Sequence, residues 1–97
     1  MRIDPLMTDE VQDAVDRGLP VVALETTLVS HGFPGGEGVQ VALASEARVR
    51  EAGAVPATTG IVDGAVRVGL TGSDLKRFAS AGVAARKVGA RDLAACL

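Results

Sequence analysis

The stretch VVALETTLVSHG (residues 21–32) joins an uninterrupted apolar run to a carboxylate. A run without polar alternation is typical of a strand that is covered on both faces of a sheet. Glu25 ends this run. Because an unpaired carboxylate is costly to bury, the chain must solvate Glu25, pair it or use it.

The segments on either side of this stretch predict helices. Thr8 or Asp9 is a suitable cap for a first helix, which Gly18 closes. Apolar residues expected on its inner face are Val11, Ala14 and Val15. A second helix is expected from about Gly38 to Gly53. Its apolar residues at helical spacing are Val39, Ala42, Leu43 and Ala47, and Glu46 with Arg50 forms an i, i+4 pair.

The second half of the chain predicts a β-hairpin, a helix and a strand. Asp63-Gly64 separates two β-rich runs in residues 54–70, which is a strong signal for a two-residue turn. Thr71 or Ser73 can start a helix, and residues 83–88 form a last short strand. Residues expected to face inward from this helix are Leu75, Phe78 and Ala79. The order of elements predicts an α/β fold with a mostly parallel sheet flanked by helices.

Composition excludes several classes of function. The chain has 97 residues, enough for one small domain, and a formal charge of −2, which does not favour nucleic acid or an acidic membrane. Two Phe and no Trp or Tyr leave no aromatic platform for stacking bases. No segment has the length of a signal peptide core or a membrane span, and the single Cys96 excludes an internal disulfide. A cytoplasmic protein is the simplest expectation.

Two ionisable residues follow predicted strands, Glu25 and Lys87. Because ligands bind beyond the carboxyl ends of strands in open α/β sheets, both are candidates for one site. A carboxylic acid can protonate a leaving group, and an ammonium can hold a phosphate. Each also has a structural interpretation, in which Glu25 caps the next turn and Lys87 pairs with a surface carboxylate. Lys76, the other lysine, has no motif around it.

The remaining polar motifs are less specific. His31 lies in a Gly/Pro loop, where a lone histidine is more often solvated than catalytic. Asp63 is explained by its place in the predicted turn. The sequence PGGEG (residues 34–38) precedes a helix and could receive an anion, but it lacks the known phosphate-loop patterns. Ser30, Thr26 and Thr27 are expected to form loop or substrate hydrogen bonds. No second His or Cys has metal-ligand spacing, so we expect no complete metal site.

Three blocks of the chain together resemble a known family. VVALETTLVSHGFP, EAGAVPATTGIVDGAVRVGLT and ARKVGARDL, in that order, are similar to the N-terminal part of the pseudouridine-5′-phosphate glycosidase family, which includes indigoidine-synthase-A-like proteins. The resemblance covers the chain from about Met7 and about the first third of the family's usual length. We therefore expect residues 1–97 to be an N-terminal fragment of such a domain.

The resemblance implies an activity and two site residues. The family reversibly cleaves the C–C glycosidic bond of pseudouridine 5′-phosphate to uracil and ribose 5-phosphate. It does so through an imine between the opened sugar and a lysine, with a divalent metal, typically manganese (Mn2+), at the site. The family's proton donor falls on Glu25, and a substrate-binding lysine falls on Lys87. Family members are oligomeric, so a homo-oligomer, such as a trimer, is implied.

The chain also departs from the family pattern. The imine-forming lysine and the metal-binding aspartate belong to later segments, and neither Lys76 nor Lys87 matches the imine-forming position. The sequence after SHG differs as well. We therefore expect the isolated chain to be inactive. Two alternatives stay open: a non-catalytic phosphate-binding or oligomerisation module with the same fold, and an enzyme that acts on another sugar phosphate.

Overall fold

The computed structural model describes residues 4–27, 29, 37–81, 85, 88 and 92. Within these residues, three helices and four strands form an α/β unit. In chain order they are β1 (Leu6–Met7), α1 (Asp9–Asp16), β2 (Val21–Leu24), α2 (Glu37–Glu51), β3 (Val55–Val62), β4 (Ala65–Val68) and α3 (Gly72–Ala81). Of the strand predicted over residues 83–88, only residues 85 and 88 lie within these ranges, so this strand stays a prediction.

The four strands form one sheet with the order β1-β4-β3-β2. β2 runs parallel to β3 and β1 runs parallel to β4, whereas β3 and β4 are antiparallel. Two of these three pairings are parallel, so the prediction of a mostly parallel sheet flanked by helices is confirmed. The strand β1 was not predicted, because two residues carry no readable alternation.

The predicted hairpin joins β3 and β4. Val62 pairs with Ala65, and the two residues between them form the turn. Asp63 has φ 51° and Gly64 has φ 76°. A two-residue turn with positive φ at both positions matches the right-handed twist of the strands, and Asp-Gly is a preferred pair for it. The sequence prediction is confirmed here.

Helix α1 covers one face of the sheet. Thr8 is its N-cap, and the Thr8 hydroxyl accepts a hydrogen bond of 3.3 Å from the backbone N–H of Val11. Val11 and Ala14 are both 1% exposed. Val15, predicted to face inward, is 48% exposed, so this part of the prediction is wrong. Val11 and Ala14 define the buried face of the helix, and Val15 is its last apolar residue before the end at Asp16.

Helices α2 and α3 cover the other face, where the main core lies. Its buried cluster contains Val29, Val39, Val62, Leu70 and Leu75, with Ala42, Phe78 and Ala79 packed against it. Gly60 of β3 allows this packing, because a Cβ atom there would lie 2.8 Å from Cζ of Phe78. The core therefore depends on a strand position without a side chain.

Two sequence expectations about this face are corrected. Glu46 does not pair with Arg50: Thr58 donates a hydrogen bond of 2.7 Å to the Glu46 carboxylate. Arg50 instead donates two hydrogen bonds, of 2.6 and 2.8 Å, to Glu10 of α1. This bidentate contact holds the pKa of Glu10 below its usual value. The predicted i, i+4 pair does not form, because each of the two residues binds a partner that is distant in the sequence.

The prediction that β2 is covered on both faces is also wrong for the part of the chain that the structure describes. β2 is an edge strand of the sheet. Val22 is 40% exposed, and Ala23 is exposed as well. Likewise Leu43 of α2, one of the apolar residues predicted at helical spacing, is 43% exposed. Contacts among the described residues therefore leave part of the apolar run exposed.

Candidate functional site

Glu25 is the first residue after β2 and lies at the rim of a small pocket. The pocket lies between the carboxyl end of β2, strand β3 and helix α2, and has a volume of about 80 Å³. Its lining consists of Leu24, Glu25, Val29, Ala42, Ser45 and Thr58. Ligand sites commonly measure roughly 300–1,000 Å³. The pocket formed by the described residues is therefore smaller than an ordinary ligand site.

The structure answers the question of how the chain accommodates Glu25. The side chain is exposed, and no hydrogen bond or ion pair to another described residue holds its carboxylate. Solvation therefore avoids the cost of burial. The carboxylate adjoins an apolar surface formed by Leu24, Val29 and Ala42. Glu25 is thus an exposed carboxylate that borders the pocket.

The backbone around Glu25 is held by one residue of β3. The hydroxyl of Thr59 donates a hydrogen bond of 3.1 Å to the carbonyl of Leu24. The hydroxyl of Thr26 donates a hydrogen bond of 3.1 Å to the carbonyl of Thr59. The residues immediately before and after Glu25 are thus both bound to Thr59. Thr26 forms a loop hydrogen bond, one of the two roles expected for it.

A second carboxylate, Glu46, lies beside the pocket; the sequence predicted it only as a partner of Arg50 and not as a site residue. It accepts the hydrogen bond of Thr58, whose side chain is almost fully buried. The spacing of residues in α2 could have indicated that Glu46 faces the sheet. Val39, Ala42 and Val49 are buried or half-buried, and Glu46 falls on the same helical face as these three. A carboxylate on the inner face of a helix needs a partner, here supplied by β3.

The other sequence candidates have different outcomes. Lys87, His31 and Cys96 lie outside the described residues, so the proximity of Lys87 to Glu25 stays a prediction. Lys76 is an exposed residue of α3. Asp63 belongs to the hairpin turn and forms an ion pair of 2.7 Å with Arg77. This contact holds the pKa of Asp63 below its usual value, and the structural interpretation of Asp63 stands.

The described residues form neither a metal-binding cluster nor a membrane-spanning helix. No three His, Cys, Asp or Glu side chains among these residues lie in a group that could hold a metal ion. None of the helices in the same ranges is long and apolar enough to cross a membrane. The donors near Glu25 are hydroxyls already bound to protein acceptors, namely those of Thr26, Thr58 and Thr59.

Comparison with known proteins gives consistent matches over almost the whole chain. Residues 10–97 match the family model described as indigoidine synthase A like protein. The chain is 50% identical over 94 residues to a pseudouridine-5′-phosphate glycosidase of Streptomyces griseus, and 46% identical over 91 residues to one of Chloroflexus aurantiacus. These matches cover 97% and 94% of this chain, but only 29% and 30% of the two relatives.

Solved structures are similar as well. A prealnumycin C-glycosynthase, AlnA, in complex with ribulose 5-phosphate has a TM-score of 0.79 and 43% sequence identity. An indigoidine synthase A-like protein of Thermotoga maritima has a TM-score of 0.77 and 29% identity. The chain is covered to 96% and 97%, and it spans 30% of each of these proteins. The matched region is therefore about three-tenths of a longer chain in each of these relatives.

Proposed function

Because the chain belongs to the family of indigoidine synthase A-like proteins, we propose that it forms the N-terminal part of a pseudouridine-5′-phosphate glycosidase. Such an enzyme reversibly cleaves the C–C glycosidic bond of pseudouridine 5′-phosphate to uracil and ribose 5-phosphate. The observation that carries the proposal is the 50% identity to the Streptomyces griseus relative over 94 residues. The position of Glu25 at a pocket rim supports it independently.

Glu25 has the chemistry that this reaction requires. When the C–C bond breaks, its electron pair stays on the uracil carbon, which must receive a proton. A carboxylic acid within hydrogen-bond reach can deliver that proton, and the resulting carboxylate can take it back in the synthetic direction. The Glu25 side chain is exposed and held by no described partner, so it is available for this transfer.

We propose that the sugar phosphate is bound with the help of Lys87. A lysine ammonium is a compact charge that attracts phosphate. The similar C-glycosynthase was crystallised with ribulose 5-phosphate, a ligand of the same class, which supports a sugar phosphate here. The assignment to Lys87 rests on the resemblance of the ARKVGARDL block to the family's substrate-binding segment.

We assign the imine-forming lysine and the ligands of a divalent metal, typically manganese, to the rest of a family-length enzyme. The described residues do not fit a metal, since no group of three potential ligands is present among them. No step of the proposed chemistry of Glu25 passes through a metal. The chain alone is therefore expected to be inactive.

A homo-oligomer in the cytoplasm is the proposed state of the complete enzyme. The proposal of a trimer rests on the family resemblance. The proposal of a cytoplasmic location rests on the single cysteine of the sequence, which cannot form an internal disulfide. Large apolar side chains are available for contacts with further chain segments or subunits. Those that are exposed are Leu6, Val15, Leu19, Val22 and Leu43.

A chimeric enzyme tests the proposed function. This chain would replace the matching 94-residue segment of the Streptomyces griseus glycosidase, and the product would be assayed with uracil, ribose 5-phosphate and manganese. We expect pseudouridine 5′-phosphate to form, and we expect none with the 97-residue chain alone.

The control is a second chimera that carries the matching segment of the Chloroflexus aurantiacus relative, which shows whether segment exchange is tolerated. Activity in the control but not in the chimera with this chain would contradict the proposal. That result would favour a non-catalytic phosphate-binding or oligomerisation module. Formation of a different product from another sugar phosphate would instead support an enzyme of altered specificity.

A further inference from the structure

Glu25 lies just beyond the point where the pairing of β2 with β3 stops. The last pair of this parallel ladder is Leu24 with Thr58. A residue one position past a ladder has no strand neighbour of its own, so its backbone is free to adopt several directions unless other bonds hold it. In this structure two side-chain hydrogen bonds continue the attachment past the end of the ladder.

The first of these bonds replaces a ladder bond. The carbonyl of Thr58 points toward β4, where it accepts the N–H groups of Gly69 at 3.0 Å and Leu70 at 2.9 Å. Because successive carbonyls of a strand point to opposite sides, the carbonyl of Thr59 faces β2. There it accepts the Thr26 hydroxyl at 3.1 Å. A side-chain donor thus occupies the position that a strand N–H would take.

The second bond runs in the opposite direction. The hydroxyl of Thr59 donates to the carbonyl of Leu24 at 3.1 Å. One residue of β3 therefore fixes both peptide neighbours of Glu25, one through a donor and one through an acceptor. We propose that Thr59 is a positioning residue that holds the Glu25 carboxyl at the pocket rim. This inference rests on the proposed role of Glu25 as proton donor.

The physical consequence is a limited range of directions for the Glu25 side chain. A general acid must come within about 2.6–3.2 Å of the atom it protonates. A misplacement of about 1 Å can cost roughly 100-fold in rate. Since the Glu25 carboxylate has no described partner to orient it, the two bonds to Thr59 supply the orientation through the backbone.

Backbone order in the 97-residue chain tests the positioning directly. We would compare Thr59→Val, which removes the donor, with Thr59→Ser, which keeps it. Thr8→Val serves as the control, because it removes the hydroxyl that caps α1 without contact to Glu25. The NMR order parameter of Glu25 should fall from about 0.85 to below about 0.6 in Thr59→Val only, because this variant removes the bond to the Leu24 carbonyl. An unchanged order parameter in Thr59→Val would overturn the inference, since lost stability alone would act in Thr8→Val as well.

The chimeric enzyme gives a catalytic readout. Thr59→Val should lower kcat by about 10- to 100-fold and leave KM within about twofold, and Thr59→Ser should restore kcat. A normal kcat in Thr59→Val, together with a large loss in Glu25→Gln, would overturn the positioning role and leave the proposed function intact. If Glu25→Gln were fully active, the role of Glu25 as proton donor would fail first, and the catalytic meaning of Thr59 would fail with it.

Discussion

The hydroxyl of Thr58, a side chain that is 2% exposed, donates a hydrogen bond of 2.7 Å to the carboxylate of Glu46. This bond joins β3 to α2 at Thr58, which lines the pocket that Glu25 borders. Because the hydroxyl is buried, its acceptor must come from the protein. The contact therefore fixes the helix against the sheet at the position where the site is built.

Removal of the Glu46 carboxylate alone should destabilise the chain more than removal of both the carboxylate and the Thr58 hydroxyl. Glu46→Ala leaves the Thr58 hydroxyl buried without its acceptor, which costs about 1–3 kcal/mol in the free energy of unfolding. In the Glu46→Ala, Thr58→Val pair this penalty disappears, since no buried donor remains. Urea denaturation of the two single variants and the double variant measures the coupling, expected at about 0.5–3 kcal/mol. Additive effects would show that the bond contributes nothing specific.

Gly69 should tolerate substitution less well than another glycine of similar conformation. Gly69 has φ 98° and Gly53 has φ 87°, so alanine is strained at both positions, by about 1–2 kcal/mol. A Cβ atom at Gly69 would also lie 2.8 Å from Thr8 Oγ1 and 2.9 Å from Val11 Cγ2, whereas nothing lies near Gly53. We expect Gly69→Ala to cost about 1–3 kcal/mol more than Gly53→Ala in thermal unfolding. Equal losses would mean that α1 moves away freely.

The start of α3 should be sensitive to acid. Thr71 donates its backbone N–H to Asp74 at 3.0 Å, and Asp74 donates its N–H to the Thr71 hydroxyl at 3.2 Å. The bond from the Thr71 backbone holds the pKa of Asp74 below its usual value. The carboxylate therefore stabilises the folded chain fully above the ordinary Asp pKa of about 3.9. That stabilisation is lost as the pH falls through the lower pKa of the folded state.

Two variants separate the parts of this cap. Asp74→Asn should lower stability at pH 7 by about 0.5–2 kcal/mol, and its difference from the unsubstituted chain should shrink below about pH 4. Thr71→Ala keeps the backbone donor and should retain most of the pH dependence. Unfolding measured between pH 2 and pH 7, a window set by the ordinary Asp pKa of about 3.9, makes the comparison. A pH profile for Asp74→Asn that parallels the unsubstituted chain would assign the acid sensitivity to other groups.

Local chemistry made much of this fold predictable. The Asp63-Gly64 turn, the Thr8 cap and the positive φ of Gly53 each follow from one or two residues whose preferences no distant contact overrides. The placement of Glu25 at the end of an apolar strand was equally readable. These features depend on backbone geometry and on the 2.0 and 3.6 residue periods.

Contacts between distant segments were not predictable in the same way. Glu46 has a suitable partner four residues away in Arg50, yet it binds Thr58, and Arg50 binds Glu10 of another helix. The sequence distance of the bonds around Glu25 is more than thirty residues. Nothing in a single sequence marks Thr59 as their centre, because its role exists only once β2 and β3 are paired.

The measurement that tests the central proposal most directly is the activity of Glu25→Gln in the chimeric enzyme. Glutamine keeps the shape and solvation of the side chain, which is exposed, so the fold should remain intact. Loss of a general acid lowers the chemical step by about 10²–10⁴-fold, and we expect a loss in that range with pseudouridine 5′-phosphate as substrate. Activity within a few-fold of the unsubstituted chimera would contradict the role of Glu25 as proton donor.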